Sequence, residues 1–292
     1  DELVGFAQGT LGGFAGPVCH VTHAGDSGAG SLRACATQPG HVVFDSDMDI
    51  TLQSRISVAS DLTIDGRGRY VRIYGAGLLL ESVHDVIVLN LIFKQGNGDP
   101  DNDAMTITES SHHIWVHHVS FSDFGDGLLD IKRESTDVTV SWCKFSQHDK
   151  TMLIGHDNNR PQDSVIRVTL HHNWFRETNQ RHPRVRYATV HAFNNYYDNW
   201  GAYGMACSNE SQCRSQNNIF EAGSDTDAVL TIAGSDPAHG NVRSDNDWTL
   251  NGAVINERNA SSVFDPTSHY IYTLDDADST LRSQIESNAG WQ

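Results

Sequence analysis

From residue 85 onward the chain repeats itself, and a repeat of short apolar runs limits what a chain can fold into more than any other feature. Aligned on a closing aromatic, the runs end at Phe93, Phe121, Phe145, Phe175, Tyr197 and Phe220, with spacings of 28, 24, 30, 22 and 23 residues. Val86-Ile87-Val88-Leu89-Asn90-Leu91-Ile92-Phe93 and Val138-Thr139-Val140-Ser141-Trp142-Cys143-Lys144-Phe145 typify them, short strand-like runs closed by turn residues. No single short hairpin has such a period, and no helical stretch of useful length fits between the runs. A coil of three short strands and three turns takes about 22 residues, and stacked coils make a parallel β-helix. A sandwich with irregular loops is the competing architecture. Asn90, Asn194 and Asn217 fall three residues before their aromatics, where amides are expected to stack from coil to coil.

The ends of the chain differ from its middle. Residues 1–40 are Gly-rich, with a helix-like run from Ser31 to Gln38 that starts on a capping serine and stops at Pro39-Gly40, so an N-terminal cap is expected there. Stacked coils follow over 41–222. Beyond 223 the repeat fades into Asp/Asn/Ser-rich sequence, read as last coils and a loop-rich C-terminal tail, with a short helix over Ser279–Glu286. The expectation is one all-β domain over 1–292. Cys19 and Cys35 flank one loop and Cys207 and Cys213 another, so each pair could close a disulfide, leaving Cys143 as a buried thiol. That usage points to a secreted, extracellular protein, whose signal is expected to be gone before Asp1-Glu2-Leu3.

Thirty-seven acidic against twenty basic residues give a formal charge of −17, which argues against a nucleic-acid partner. No apolar run approaches the roughly 18 residues needed to cross a bilayer. Against that acidity, three arginines crowd about one proline in Asn179-Gln180-Arg181-His182-Pro183-Arg184-Val185-Arg186. If the partner is a polyanion, a bound cation is needed between two negative surfaces.

In stacked coils, positions equally distant from the aromatic lie above one another, about 4.8 Å apart. Asp126 and Lys150 fall five residues after theirs and Arg181 six, so the three are expected on one face, extended by Asp130 and Arg186. The acid-rich loop Asp99-Pro100-Asp101-Asn102-Asp103 belongs to the same flank. Clustered carboxylates repel unless a cation holds them, and oxygen-only ligation suits a hard ion such as Ca²⁺. The doublets His112-His113, His117-His118 and His171-His172 cannot chelate by themselves, because adjacent strand residues point to opposite faces, and they are read as structural or solvent-facing.

The runs Asp126-Gly127-Leu128-Leu129-Asp130, His148-Asp149-Lys150 and Arg181-His182-Pro183-Arg184-Val185-Arg186, in that order, resemble the pectate lyases of polysaccharide lyase family 1. The resemblance runs over about residues 5 to 222. It implies a single-stranded right-handed parallel β-helix, a monomer, that cleaves α-1,4-linked polygalacturonate by calcium-dependent β-elimination to 4,5-unsaturated oligogalacturonates. Carried over by position, Asp103, Asp126 and Asp130 would hold Ca²⁺, with Asp101 beside them. Arg181 would remove the C5 proton, and Lys150 and Arg186 would bind the uronate carboxylate. Many members carry Asp where this chain has His117.

The chemistry suits that division. A proton next to a carboxylate is weakly acidic, because its removal adds negative charge beside an existing one; cations on the carboxylate lower that cost. Arginine, with a pKa above about 12, is an unusual base. Neighbouring cations and burial favour its neutral form, so activity is expected to rise into the alkaline range. The alternatives are a pectin lyase acting without calcium on methyl-esterified polymer, a β-helix hydrolase with paired carboxylates, and a non-catalytic polysaccharide-binding β-helix.

Overall fold

In the computed structural model, which describes residues 3–292, the chain is a parallel β-solenoid of about ten turns. Asp1 and Glu2, where the expectation of a processed start falls, lie outside the described residues. After the first strand, Val18–Val21, every coil contributes one strand to each of three parallel sheets of 10, 9 and 9 strands. The repeat units of the sequence are the strands of the first sheet running into those of the second, as in His112–His117 followed by Ser120–Ser122. The third sheet contains Met105–Thr108, Leu129–Ile131, Leu153–Ile154, Arg184–Arg186 and Met205–Ser208.

The closing aromatics set the register. Phe93, Phe121, Phe145, Phe175, Tyr197 and Phe220 are cross-strand partners in the second sheet. Their rings stack inside the coil with centroids 4.5 to 5.5 Å apart. All six side chains are buried, each contributing about 1.5–3 kcal/mol of apolar burial.

The asparagine ladder lies one residue away from its expected position. Asn90, Asn194 and Asn217 sit with His118, Trp142 and His172 at the corner between the first and second sheets, all in left-handed conformation with φ between 50 and 56°. Asparagine is common there because its short polar side chain tolerates φ > 0. The inward amides belong to the next residue: Asn173 Nδ2 donates to Asn195 Oδ1 at 2.9 Å, and Asn195 Nδ2 to Asn218 Oδ1 at 2.9 Å. Counting back from the aromatic found the corner, where Asn194 Nδ2 still donates across coils to Asn217 O at 3.1 Å, and not the amide-to-amide ladder.

The ends follow the sequence reading. Ser31 caps the helix Leu32–Ala36 by accepting from Ala34 N at 3.1 Å, and the Cys19–Cys35 disulfide ties that helix to the first strand. Cys207 pairs with Cys213, and Cys143 is a buried free thiol. The helix Ser279–Asn288, capped by Asp278, lays Leu281 and Ile285 on Trp174, Tyr196 and Ile219 of the second sheet. Among the described residues no helix is long and apolar enough to cross a membrane.

Candidate active site

Two sets of loops rise beside the third sheet, one on each side. Loops leaving the second sheet carry Asp103, Asp126, Lys150 and Arg181, while loops leaving the third sheet carry His156 and Asp236. Strand pairing aligns Gly127 with Lys150 and Lys150 with Gln180. Asp126 is therefore one residue before that line and Arg181 one residue past it, because turns of unequal length break a count taken from the aromatic. The charged residues still share the flank: Lys150 Nζ reaches diagonally to Asp126 Oδ1 at 2.9 Å.

On the acidic side, Asp130 stands in the strand Leu129–Ile131 and Asp103 just ahead of the strand Met105–Thr108. Both are buried. Gly127 makes their approach possible, since a Cβ there would lie 2.6 Å from Asp130 Oδ1 and 3.0 Å from Asp103 Oδ1. Asp103 accepts from Gly127 N at 2.8 Å and from Thr106 Oγ1 at 2.7 Å; Asp130 accepts from Leu153 N at 3.1 Å. Lys132 Nζ stands 3.6 Å from Asp103 and 3.5 Å from Asp130, close enough for charge but too far for a good hydrogen bond. Burial, and then the charge of Asp103, push the Asp130 carboxyl up to about 7. Two carboxylates out of water and incompletely neutralised are a donor set suited to a hard cation, and all the donors are oxygens. Asp103 and Asp130 thus fit Ca²⁺. Asp126 is committed to Lys150, and among the described residues the three carboxylates do not converge to within 4.8 Å. Asp101 is exposed, its N–H donating to Asp99 Oδ1 at 3.0 Å.

On the basic side, Arg184 aligns with Leu153, which neighbours Asp130 in the previous coil. Arg184 and Arg186 both grip one buried carboxylate that sequence reasoning missed, Asp236. Arg184 Nη2 lies 2.7 Å and Arg186 Nη2 2.9 Å from Asp236 Oδ1, and Ser208 Oγ donates to Oδ2 at 2.6 Å. Burial would raise the Asp236 carboxyl, but the bonds from Arg184 and Ser208 and the charge of Arg186 hold it below the usual range. Burial, and then Arg184, lower the pKa of Arg186 against the pull of Asp236. Asp236 falls where the repeat fades; its only sequence signal is that two arginines two residues apart on one strand face need a counter-charge.

Arg181 is different. It stands in left-handed conformation with φ 66°, and its Nε is buried without a hydrogen-bond partner. Among the described residues no carboxylate pairs with it, whereas Lys150, Arg184 and Arg186 each have one. Its positive charge is felt at Asp130 and at Arg186, which places it between the two halves. The neighbouring His182 is a buried support: it contacts Thr178 Oγ1 at 2.6 Å, and burial lowers its pKa to about 4.

Three depressions follow one another along this flank. The first is lined by Thr51, Tyr74 and Asn97; the second, about 680 Å³, by Asp126, His148, Lys150 and Asn179; the third by Thr178, Trp200 and Ser224. The second and third share His148 and Asn179 and form an open polar channel, lined among the charged residues above by Asp126 and Lys150. A cavity of about 600 Å³ over the first sheet, lined by Phe14, Arg67, Trp115 and Trp142, contains none of Asp103, Asp126, Asp130, Lys150, Arg181 and Arg186. His117 lines that cavity and meets Ser141 Oγ at 2.8 Å, so it belongs to the first sheet and not to the charged flank.

The family model described as pectate lyase matches residues 42–292. Pectate lyase 1 of Ambrosia artemisiifolia is 37% identical over 296 aligned residues, covering 91% of this chain and 74% of that protein. Pectate trisaccharide-lyase of Thermotoga maritima is 37% identical over 217 residues, 68% of this chain and 57% of its own length. Among solved structures, jun a 1, the major allergen from cedar pollen, superposes with a TM-score of 0.89 at 30% identity, covering 99% of this chain and 93% of its own. Pectate lyase Bsp165PelA from Bacillus sp. N165, solved in complex with trigalacturonate, gives 0.81 at 26% identity and covers 99% of both chains.

Proposed function

Because the chain belongs to the pectate lyase family and is a polysaccharide lyase, we propose that it cleaves α-1,4-linked polygalacturonate by calcium-dependent β-elimination. The observation that carries this reading is Arg181, an arginine without a counter-ion among the described residues, set between a carboxylate pair and an arginine pair. The trigalacturonate held by the Bacillus relative supports the same substrate class. A channel that crosses several coils suits an extended polymer better than a small molecule.

Lys150 and Arg186 bind the carboxylate of the uronate to be cleaved, and Arg181 takes the proton from C5. The electron pair of that C–H bond becomes the C4–C5 double bond, the C4–O4 bond breaks, and the leaving oxygen takes a proton from water. Asp103 and Asp130, with Asp126 once it leaves Lys150, would hold Ca²⁺, whose charge neutralises the uronate carboxylate and lowers the cost of the developing negative charge. Positively charged side chains fixed in advance beside that carboxylate stabilise the transition state without reorganisation. In this reading the chain is one secreted catalytic unit that acts as a monomer.

The test is to incubate the protein with polygalacturonate and follow the ultraviolet absorbance of the unsaturated product. Absorbance that rises with calcium and stops with chelator is expected. New reducing ends without absorbance would identify a hydrolase, chelator-insensitive cleavage of esterified pectin a pectin lyase, and no cleavage a binding protein.

A further inference from the structure

Away from the channel, Asp61, His84 and Asp85 bring an imidazole nitrogen and two carboxylate oxygens within 4.8 Å of one another. The ladder fixes the cluster, since Asp61 N donates to His84 O at 2.9 Å and so sets one coil's corner beside the next. Both aspartates hold left-handed corner conformations, each with φ 53°. His84 Nδ1 lies 3.7 Å from Asp61 Oδ1 and 3.2 Å from Asp85 Oδ2. Around a zinc-class ion with bonds of about 2.0–2.1 Å, ligand atoms of a tetrahedral site stand about 3.3 Å apart. The observed separations bracket that edge.

Charge points the same way. Two coils further on, the corner residue Asp137 is paired with Arg167 at 2.7 Å. Among the described residues Asp61 and Asp85 have no arginine or lysine, and the only group between them is the His84 ring. That ring is stacked at 5.5 Å on His112, its cross-strand partner. Asp85 Oδ1 also accepts from Leu11 N at 3.0 Å, so the cluster meets the N-terminal segment laid across the coils.

We propose that Asp61, His84 and Asp85 form a surface site for a divalent transition-metal ion of the zinc class, distinct from the calcium residues of the channel. Imidazole with carboxylates selects zinc-class ions, whereas calcium prefers oxygen donors alone. A tetrahedral ion takes its fourth ligand from water. The bound ion staples two coils and, through Asp85, the segment around Leu11.

The test is calorimetric titration of zinc chloride into the whole chain in excess calcium, for wild type, His84→Gln and Asp61→Asn. All three residues are outside the channel, so lyase activity in calcium should be the same in each. The proposal expects one zinc-binding event in wild type that excess calcium does not block. Each variant should weaken it by about tenfold or more, the loss that even outer partners of metal ligands cause. No zinc binding by wild type, binding abolished by calcium, or a variant that binds zinc as tightly as wild type would overturn the assignment.

Discussion

The two halves of the charged flank face the same electrostatic problem in opposite signs. On the basic side two guanidiniums, Arg184 and Arg186, share the carboxylate of Asp236; on the acidic side two carboxylates, Asp103 and Asp130, share the ammonium of Lys132. The solutions differ in quality. Asp236 is held at 2.7 to 2.9 Å by both arginines and closed by Ser208, and its pKa falls. Lys132 stands 3.5 and 3.6 Å from its two partners, and the pKa of Asp130 rises to about 7. The hydrogen bonds of the basic half are complete, and its one positive charge left over suits an anionic substrate. The acidic half is short of positive charge, which is the property a cation site needs.

Arg181, between the halves, should give the largest effect of any substitution. Arg181→Lys keeps the charge but moves the basic nitrogen, and kcat should fall about a thousandfold, within the range of general-base losses, with an unchanged melting temperature. A variant with near-normal kcat would remove Arg181 from the role of base.

Asp236→Asn breaks the complete half. Leaving two largely covered arginines without their buried carboxylate should cost about 3–5 kcal/mol in chemical denaturation, as for other broken buried pairs. Lys132→Met breaks the incomplete half and should cost less, because Lys132 is not hydrogen-bonded to either carboxylate. Its loss, about 1–3 kcal/mol in chelator, should be recovered by calcium. Equal losses in the two variants, each unaffected by calcium, would erase the distinction drawn here.

Acid should weaken the fold through two buried histidines. Burial lowers His182 to about 4 and His191 to about 3, so between pH 6.5 and those values the unfolded chain binds protons that the folded chain refuses. Stability therefore falls as pH drops through that window, by up to about 1.4 kcal/mol per pH unit for each such histidine. The raised carboxyls of Asp130, about 7, and Asp247, about 6, act in the opposite sense. The direct check is therefore NMR titration of the two imidazoles, and protonation between pH 7 and 5 would show that these rings are charged in the fold.

How much of this the sequence disclosed depends on the kind of residue. The stack from Phe93 to Phe220 was legible because a strand-closing aromatic recurs and burial leaves no freedom in where it points. The asparagines were displaced by one residue because a left-handed corner and an inward amide favour the same residue type. Asp126, Lys150 and Arg181 were assigned to the right flank, yet their register slipped by one where turns replace strands. Asp236 and Lys132 carry the comparison between the halves, and neither was seen. Asp236 lies about 50 residues from its arginines, and nothing in the sequence sets Lys132 apart from other charges that follow a strand.

The most direct measurement is the melting temperature with calcium and with chelator for wild type, Asp130→Asn and Asp236→Asn. If the acidic half is the one short of charge, calcium at about a hundred times its dissociation constant should stabilise wild type by about 2.7 kcal/mol. That gain should persist in Asp236→Asn and vanish in Asp130→Asn. A gain that survives in Asp130→Asn would contradict the account.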